Sequence, residues 1–324
     1  MASGPEAGAP GPLPICIALA TRDGARHLGA QLDSYLAQDW PDWILRASDD
    51  GSTDGTRAIL DRFAAGQPPG RVAWQVGPCR GVGVNFLTLL ARVTAERPDA
   101  AVAFSDQDDV WLPHKLSAAA TWMQAQGADR GEPLVWCSRA VLTDADLVPF
   151  AETRHFPRPP AFGNALVQNI LHGATIVLSP AAARILAATV PAALAAGVPY
   201  QDWWTYQVMT GIGAGLHFAP EPSMLYRQHG ANHMGHHGPV AGRLRRLHLI
   251  AGGTYAGWID AHLAALTAHD GILTAGARDM LRDFAEARRQ GGRRLAAALP
   301  RLGIHRQTPR GDAVLRAMAL AGRL

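Results

Sequence analysis

Two acidic clusters in the 324-residue sequence each follow a short apolar run. The first is Asp49-Asp50-Gly51-Ser52, after the run at 43–48; the second is Asp106-x-Asp108-Asp109, after the run at 101–104. Like charges held this close repel one another, and a divalent cation is the natural relief. Mg²⁺ or Mn²⁺ is commonly held by one or two carboxylates together with substrate phosphate oxygens, so Asp106-x-Asp108 suggests a metal–diphosphate site. A solvated acidic loop is the competing reading. Asp49 or Asp50 can accept a hydrogen bond from a base N–H or a ribose hydroxyl, while Gly51 gives the chain room to turn. An ordinary turn with a helix cap at Asp54 is the alternative there. A third carboxylate, Asp202, opens the segment QDWWTYQVM. Beside Trp203 and Trp204 it can be partly desolvated, which raises its pKa toward that of a useful general base. The plain alternative is a first-turn carboxylate favoured by the helix dipole.

These side chains need elements that bring them together. Apolar runs at 15–20 (ICIALA), 43–48, 72–76 and 101–104 (AVAF) read as buried strands. Between them, Leu28, Leu32, Tyr35 and Leu36 recur at helical spacing, Ile59, Leu60 and Phe63 mark a second helix, and 82–95 and 112–125 read as two more. This β-α-β-α-β-α-β order predicts an α/β fold, with a mostly parallel sheet flanked by helices on both faces. Ligands in such sheets sit at the carboxyl ends of the strands, where both acidic clusters fall. Further along, 134–141 and 174–178 read as strands, 164–171 and 181–189 as short helices, 201–209 as helical and 216–229 as extended. A break near Gly238-Pro239 precedes a tail rich in Ala, Leu and Arg.

Composition and missing motifs narrow the choices. Hydrophobic residues make up 48% and charged residues 18%, enough to bury a core. Cys16, Cys79 and Cys137 form no CxxC pair, which excludes a zinc ribbon or a disulfide scaffold. Lys115 is the only lysine, so there is no P-loop; there is also no GxGxxG after the first strand, no HExxH and no GxSxG. SDQDDVW is no calcium loop either, because Val110 and Trp111 stand where a ligand and the glycine belong. MASGPEAGAPGPLP lacks the basic and apolar regions of a signal peptide, and His172, Pro180, Arg184 and Pro191 interrupt the most apolar stretch. The expectation is a soluble, cytoplasmic protein. Residues 1–238 hold 16 basic and 21 acidic residues, whereas 239–324 hold 14 basic residues, all arginine, and 6 acidic ones. Such a tail suits an anionic membrane surface or a partner, or is simply a solvated helix face. Arg243, Arg245 and Arg246 beside Leu244, Leu247 and Leu249 suit an interfacial helix.

The segments ALATRDGARHLGAQLDSYLAQ, SDDGSTDGT and SDQDDVWLPHKL, in that order, resemble family 2 glycosyltransferases of the GT-A fold. QDWWTYQV and LYRQHGANHMG resemble its rhamnosyltransferase-like branch, whose members attach sugars to surface polysaccharides, and LGIHRQTPRGDAVLRAMAL is a weaker echo. The resemblance implies a Rossmann-like GT-A domain over 13–238, with a nucleotide-binding half at 13–115 and an acceptor half at 116–238. A disordered 1–12 precedes it and a basic helical extension, 239–324, follows. It implies an inverting, metal-dependent transfer of a sugar, with rhamnose from a dTDP donor as the family-level choice, to a glycan or lipid-linked acceptor at the inner membrane face. No nucleic acid is involved. Thr21, Asp49, Asp50, Arg80, Gly81, Asn85, Asp106 and Arg227 would bind the nucleoside-diphosphate donor, Asp108 and His229 would hold Mg²⁺ or Mn²⁺, and Asp202 would be the catalytic base. The chain departs from the family at Arg22-Asp23, where Tyr-Asn is common, and at Gln201, where His or Glu is common. His233, His236 and His237 are expected as loop histidines, Trp111 as packing, and Lys115 as a surface anchor within reach of the donor. Asn169 and Gly173 would lie near the donor sugar or belong to the core. Two other classes stay open. A sugar nucleotidyltransferase would carry a Gly-rich basic loop, of which TRDGARHL is a poor version. Against a non-catalytic nucleotide-binding paralogue stands the presence of Asp202 beside the DxD pair.

Overall fold

Strand β1 (Ile15–Thr21) is buried along its whole length and forms the axis of the sheet. Alternate side chains leave a strand on opposite faces. Ile15, Ile17 and Leu19 accordingly join one core with Leu28, Leu32 and Tyr35 of α1 (Leu28–Leu36) and Met123 of α4 (Lys115–Gln126), while Cys16, Ala18 and Ala20 join the other. That second core holds Phe86 and Leu90 of α3 (Val82–Glu96) and Leu186 of α6 (Pro180–Ala196). The computed structural model describes residues 11–229 and 252–324.

On one side of β1 lie β2 (Trp43–Asp49) and β3 (Val72–Val76), with α2 (Thr56–Ala65) between them in sequence; on the other lies β4 (Ala101–Ser105). All pair in parallel, and Thr21 stands opposite Asp49. The strand ends at Thr21, Asp49 and Ser105 therefore share one edge, and the chain emerging there carries both acidic clusters.

Beyond β4 the sheet is mixed. The short β8 (Val177–Leu178) pairs antiparallel with β4 and with β6 (Leu134–Thr143). β6 pairs in parallel with the long β9 (Gly215–Arg227) and antiparallel with β7 (Pro149–Glu152). The last strand, β5 (Val110–Trp111), pairs antiparallel with Leu225 and Met224 of β9. The mixed α/β sheet with helices on both faces agrees with the expected fold class.

Local differences from the sequence reading have local causes. The helix expected at 112–125 starts at Lys115, because Val110 and Trp111 pair with β9 and Pro113 precedes the helix. The strand expected at 174–178 is a 3₁₀ turn, Gly173–Thr175, followed by two strand residues, and the helix expected at 164–171 is the single turn α5 (Phe162–Ala165). Helix α6 continues past Pro191 to Gly197, whose φ of 73° ends it in the left-handed region. Helix α7 (Gln201–Gly211) forms where QDWWTYQVM predicts it.

The expected helical tail is present as α8 (Thr254–Thr267), α9 (Ala275–Gln290), α10 (Gly292–Arg301) and α11 (Pro309–Leu320). Ile259, Leu263, Phe284, Leu295, Leu299 and Leu315 of these helices belong to the same core as α3 and α6. His233, His236, His237 and the segment with Arg243, Arg245 and Arg246 lie outside the described residues, as does the break near Gly238-Pro239.

Within that core, His262 of α8 packs against Trp203, with ring centroids 4.5 Å apart. Burial pushes its pKa down to about 3 from an ordinary 6.5. The folded state thus binds the proton less readily than the unfolded chain. The associated stability is complete above pH 6.5 and is lost as pH falls toward 3. His262→Phe keeps an aromatic ring without a titrating group. Thermal melts between pH 7 and pH 4 should show a shallower decline for this variant than for the unaltered protein; parallel declines would remove His262 from the acid sensitivity.

Candidate active site

A cleft of about 770 Å³ opens at the carboxyl edge of the parallel strands. Of the expected site residues, Thr21, Asp50, Gly81, Asn85, Asp106, Asp108, Asp202 and His229 line it; Asp49, Arg80 and Arg227 do not, the first and last being buried and Arg80 exposed.

Asp49 is fully buried and organises the loop after β2. It accepts hydrogen bonds from Thr21 Oγ1 at 3.0 Å, from the Ser52 backbone at 3.0 Å, from the Ser52 hydroxyl, and from Arg57 Nε at 2.6 Å. Burial raises its pKa, but the bonds from Ser52, Arg57 and Thr21 outweigh this and hold it below the usual carboxylate value. Asp50 accepts the backbone N–H groups of Gly81 at 2.7 Å and Arg80 at 3.3 Å, which fixes the start of α3. Gly81, with φ of 97°, turns the chain there in a region open to glycine. Asn85 ties α3 to β2 through the Ser48 carbonyl at 2.9 Å and the Ser48 hydroxyl at 2.5 Å.

The loop after β1 is clamped from both sides. Asp23, at φ of 47°, receives the Thr53 N–H at 2.7 Å, and Asp54 receives those of Ala25 at 3.0 Å and Thr56 at 2.9 Å. From the other acidic loop, Gln107 accepts the Arg22 N–H and donates to the Arg22 carbonyl, both at 2.8 Å. Gly24 is required beneath it, since a Cβ there would lie 2.1 Å from Gln107 Oε1. Arg22-Asp23, the departure from the family pattern, is therefore part of this clamp.

The second cluster is crowded. Burial, then the charges of Asp108 and Asp202, push Asp106 up to about 7. Asp109 is fully buried and raised well above the ordinary value by burial, then by Asp108 and Asp106. One of its oxygens accepts the Arg227 N–H at 3.1 Å; the other has no hydrogen-bond partner among the described residues. Asp108 accepts from His229 Nε2 at 2.8 Å, and its carbonyl takes Arg227 Nε at 2.9 Å. Lys115 is no surface anchor. It is fully buried, with Nζ bonded to the Ala174 carbonyl and 3.5 Å from the Trp111 ring centroid.

Asp202 stands at the start of α7, where Gly83 lets α3 pack closely against the segment that leads into α7 and Gly173 lies in contact with the carboxylate. A Cβ on Gly83 of α3 would lie 2.2 Å from the Pro199 carbonyl, and one on Gly173 would lie 3.6 Å from Asp202 Oδ2. Burial pushes Asp202 up to about 6, against opposing hydrogen bonds from the Trp203 backbone and the Asn169 side chain. Trp203 and Trp204 face away into the core, their indole N–H groups bonded to the Ala165 carbonyl at 2.7 Å and Thr189 Oγ1 at 2.9 Å.

Two histidines lining the cleft were not singled out in the sequence. His27 lies with its ring 5.0 Å from that of His229, and His172 packs edge-on to Tyr226 at 4.4 Å. Burial, helped by the charge of Lys115, pushes His172 down to about 4, so it is neutral at ordinary pH. Their only sequence signal was position: His27 ends the TRDGARH loop and His172 precedes Gly173. Among the described residues, no group of three or more His, Cys, Asp or Glu side chains is arranged to hold a metal ion unaided.

Comparison with known proteins matches residues 16–131 to the model of glycosyl transferase family 2. An uncharacterized glycosyltransferase of Nostoc sp. is 35% identical over 102 residues, which is 32% of this chain and 30% of that protein. The dTDP-rhamnosyl transferase RfbG of Shigella flexneri is 35% identical over 102 residues, 31% of this chain and 35% of that protein. The alignments thus span about a third of the length of these curated relatives. Among solved structures, residues 1–349 of S. aureus TarS in complex with UDP-GlcNAc superpose with a TM-score of 0.49 at 13% identity, covering 83% of this chain and 86% of that one. The mannosyltransferase PcManGT of Pyrobaculum calidifontis, in complex with GDP-Man and Mn²⁺, gives 0.45 at 19% identity, covering 98% and 89%. The strands and loops that carry both acidic clusters thus lie within the segment, residues 16–131, that matches the glycosyl transferase family 2 model.

Proposed function

We propose that this chain transfers a sugar, with inversion, from a nucleoside-diphosphate donor to a hydroxyl of a glycan or lipid-linked acceptor, in the assembly of a surface polysaccharide. Rhamnose from a dTDP donor is the leading choice, in line with the name of the Shigella relative. The observation that carries the reading is Asp202, held near pKa 6 in the same cleft as Asp106 and Asp108 and close enough for its charge to act on Asp106. Ionised above about pH 6, Asp202 removes the proton of the acceptor hydroxyl as that oxygen attacks the anomeric carbon. A single displacement inverts the centre, whereas a covalent retaining route needs a second carboxylate as nucleophile.

The donor set fits a divalent cation. Beyond burial, the charge of Asp108 raises the pKa values of Asp106 and Asp109, and its carboxylate already points at His229. Asp108 and His229, with Asp106 alongside, would hold Mg²⁺ or Mn²⁺, and a bound ion supplies Lewis-acid neutralisation of the diphosphate leaving group. Asp50, Gly81 and Asn85 form the wall against which the nucleotide would lie, and buried Asp49 and Arg227 brace the loops behind it.

Contact with an anionic membrane is the reading favoured for the tail. Arg293, Arg294 and Arg301 are exposed on α10, and Arg310 and Arg316 are exposed on α11 beside Val314 and Leu320. Among the described residues no helix is long and apolar enough to cross a membrane. The purified protein should sediment with anionic vesicles at low ionic strength and be released by added salt. Indifference to such vesicles would leave these arginines as a solvated face.

Two substitutions separate the roles. Asp202→Asn should fold and bind donor with near-native affinity while turnover falls roughly a hundredfold or more, and added Mn²⁺ should not restore it. The acid limb of the kcat/KM profile near pH 6 should disappear with the carboxylate. Wild-type turnover in this variant would take Asp202 out of the reaction, and lost donor binding would move it to the nucleotide side. Asp108→Ala should abolish the Mn²⁺ dependence of donor binding in calorimetry; an unchanged dependence would overturn the metal assignment.

A further inference from the structure

Lys115 has no part in the reaction outlined above, yet it is a fully enclosed ammonium in the site. It begins α4, directly after the acidic loop and β5, and its Nζ rests over the face of Trp111. Burial pushes its pKa well down, while Asp109 and Asp106 oppose that shift, so all three groups lie within electrostatic reach of one another. Among the described residues, its Nζ donates a hydrogen bond to a backbone carbonyl, that of Ala174.

Ala174 is the middle residue of the Gly173–Thr175 turn, which is closed by the bonds Thr175 N–H to His172 carbonyl at 2.8 Å and Ile176 N–H to Gly173 carbonyl at 3.1 Å. The turn lies directly against the base. A Cβ on Gly173 would fall 3.5 Å from Asp202 Cβ and 3.1 Å from Gln201 Nε2, and the Gly173 backbone helps to lower the Asp202 pKa. A lysine serving only as counter-ion to Asp109 would need no such carbonyl. An ammonium has three donors, and this one bridges the Trp111 ring, directly after the acidic loop, and the turn beneath Asp202.

We propose that Lys115 is a positioning residue for Asp202: by holding the Ala174 carbonyl it fixes the Gly173–Thr175 turn against the base and locks that turn to the acidic loop. This rests on Asp202 being the base, as proposed above. Misplacing a catalytic group by about 1 Å costs up to roughly a hundredfold in rate, so the role is measurable.

The test compares the full-length protein with Lys115→Met and with Lys115→Met/Asp109→Asn. The double variant removes, together with the lysine, the carboxylate whose charge acts on it most, Asp109, and it removes the Ala174 bond all the same. Two readouts are taken: donor-hydrolysis or transfer kinetics, and amide hydrogen exchange of residues 173–176 without ligand. The expected result is a fall of roughly tenfold to a hundredfold in kcat at unchanged donor KM in both variants, with faster exchange at Thr175 and Ile176. Recovery of wild-type kcat and wild-type exchange in the double variant would overturn the proposal, because Lys115 would then act on Asp109 alone. A loss confined to donor KM would overturn it as well. If the unaltered protein turns over no nucleotide sugar, the functional reading falls, and the exchange measurement still decides whether Lys115 holds the turn.

Discussion

Four carboxylates, those of Asp106, Asp108, Asp109 and Asp202, converge on one end of this sheet, and their mutual repulsion in a poorly solvated setting governs much of what surrounds them. Two are pushed to about 7 and about 6, and a third well above its ordinary value. The protein answers with groups of opposite charge or donor character placed at fixed points. Arg227 gives its backbone N–H to Asp109 and its guanidinium to the Asp108 carbonyl, His229 meets the Asp108 carboxylate, and Lys115 lies buried below. Removing one partner from a buried ionic set typically costs about 3–5 kcal/mol, because the other charge is left uncompensated. Such a cost explains why β9, otherwise distant in sequence, must end against the acidic loop. The two-residue pairing of β5 with β9 is the element that delivers Arg227 there.

The first acidic cluster is handled in the opposite way. Asp49 is surrounded by donors and its pKa is lowered, so it is ionised and fixed. With Asp23, Asp54 and Thr56 it makes a polar lattice that shapes the loop after β1, and Gln107 joins that lattice to the second cluster. One end of the cleft is thus rigid and charged by design of its hydrogen bonds, while the other keeps carboxylates that change protonation near neutral pH. The proposed transfer, in which a nucleotide is held and a proton moved, calls for both kinds of environment.

What could be read from the sequence follows from how local each feature is. The strand 72–76 and the helix at 201–209 are set by apolar periodicity, and the placement of the acidic clusters at strand ends follows from the alternation of strands and helices. The antiparallel additions β5 and β8 are each two residues long; the apolar run at 174–178 announces β8 but not its shortness, and β5 exists only through its partner far along the chain. Lys115 looked like a surface residue because lysine is almost never fully buried unless paired. Its partners, Asp109 and the Ala174 carbonyl, are visible only once the sheet has closed. His27 and His172 gave no signal for the same reason: a single histidine acquires meaning from the cleft it faces.

The C-terminal helices show the same dependence on distance, and they bear on the chemistry. Trp203, the neighbour of Asp202, is enclosed on the side away from the cleft by His262 at 4.5 Å, Tyr255 at 6.0 Å and Trp258 at 6.4 Å, while Trp258 also meets Tyr200 at 5.5 Å. Further along, the LGIHRQT segment closes on α5: Gln307 accepts the Arg158 N–H at 3.0 Å, the His305 carbonyl receives Asn164 Nδ2 at 3.0 Å, and a Cβ on Gly163 would lie 2.5 Å from the Gly303 carbonyl. Helix α7 is therefore gripped between the tail behind it and the Gly173 turn in front of it. An Arg-rich composition made the tail look like a charged appendage, but its apolar and aromatic residues supply a wall of the core on which the carboxylate of Asp202 is mounted. Arg293, Arg294, Arg301, Arg310 and Arg316 are left exposed on the opposite faces, whereas Arg288 turns in to Asp260 and the Ala256 carbonyl and ties α9 to α8.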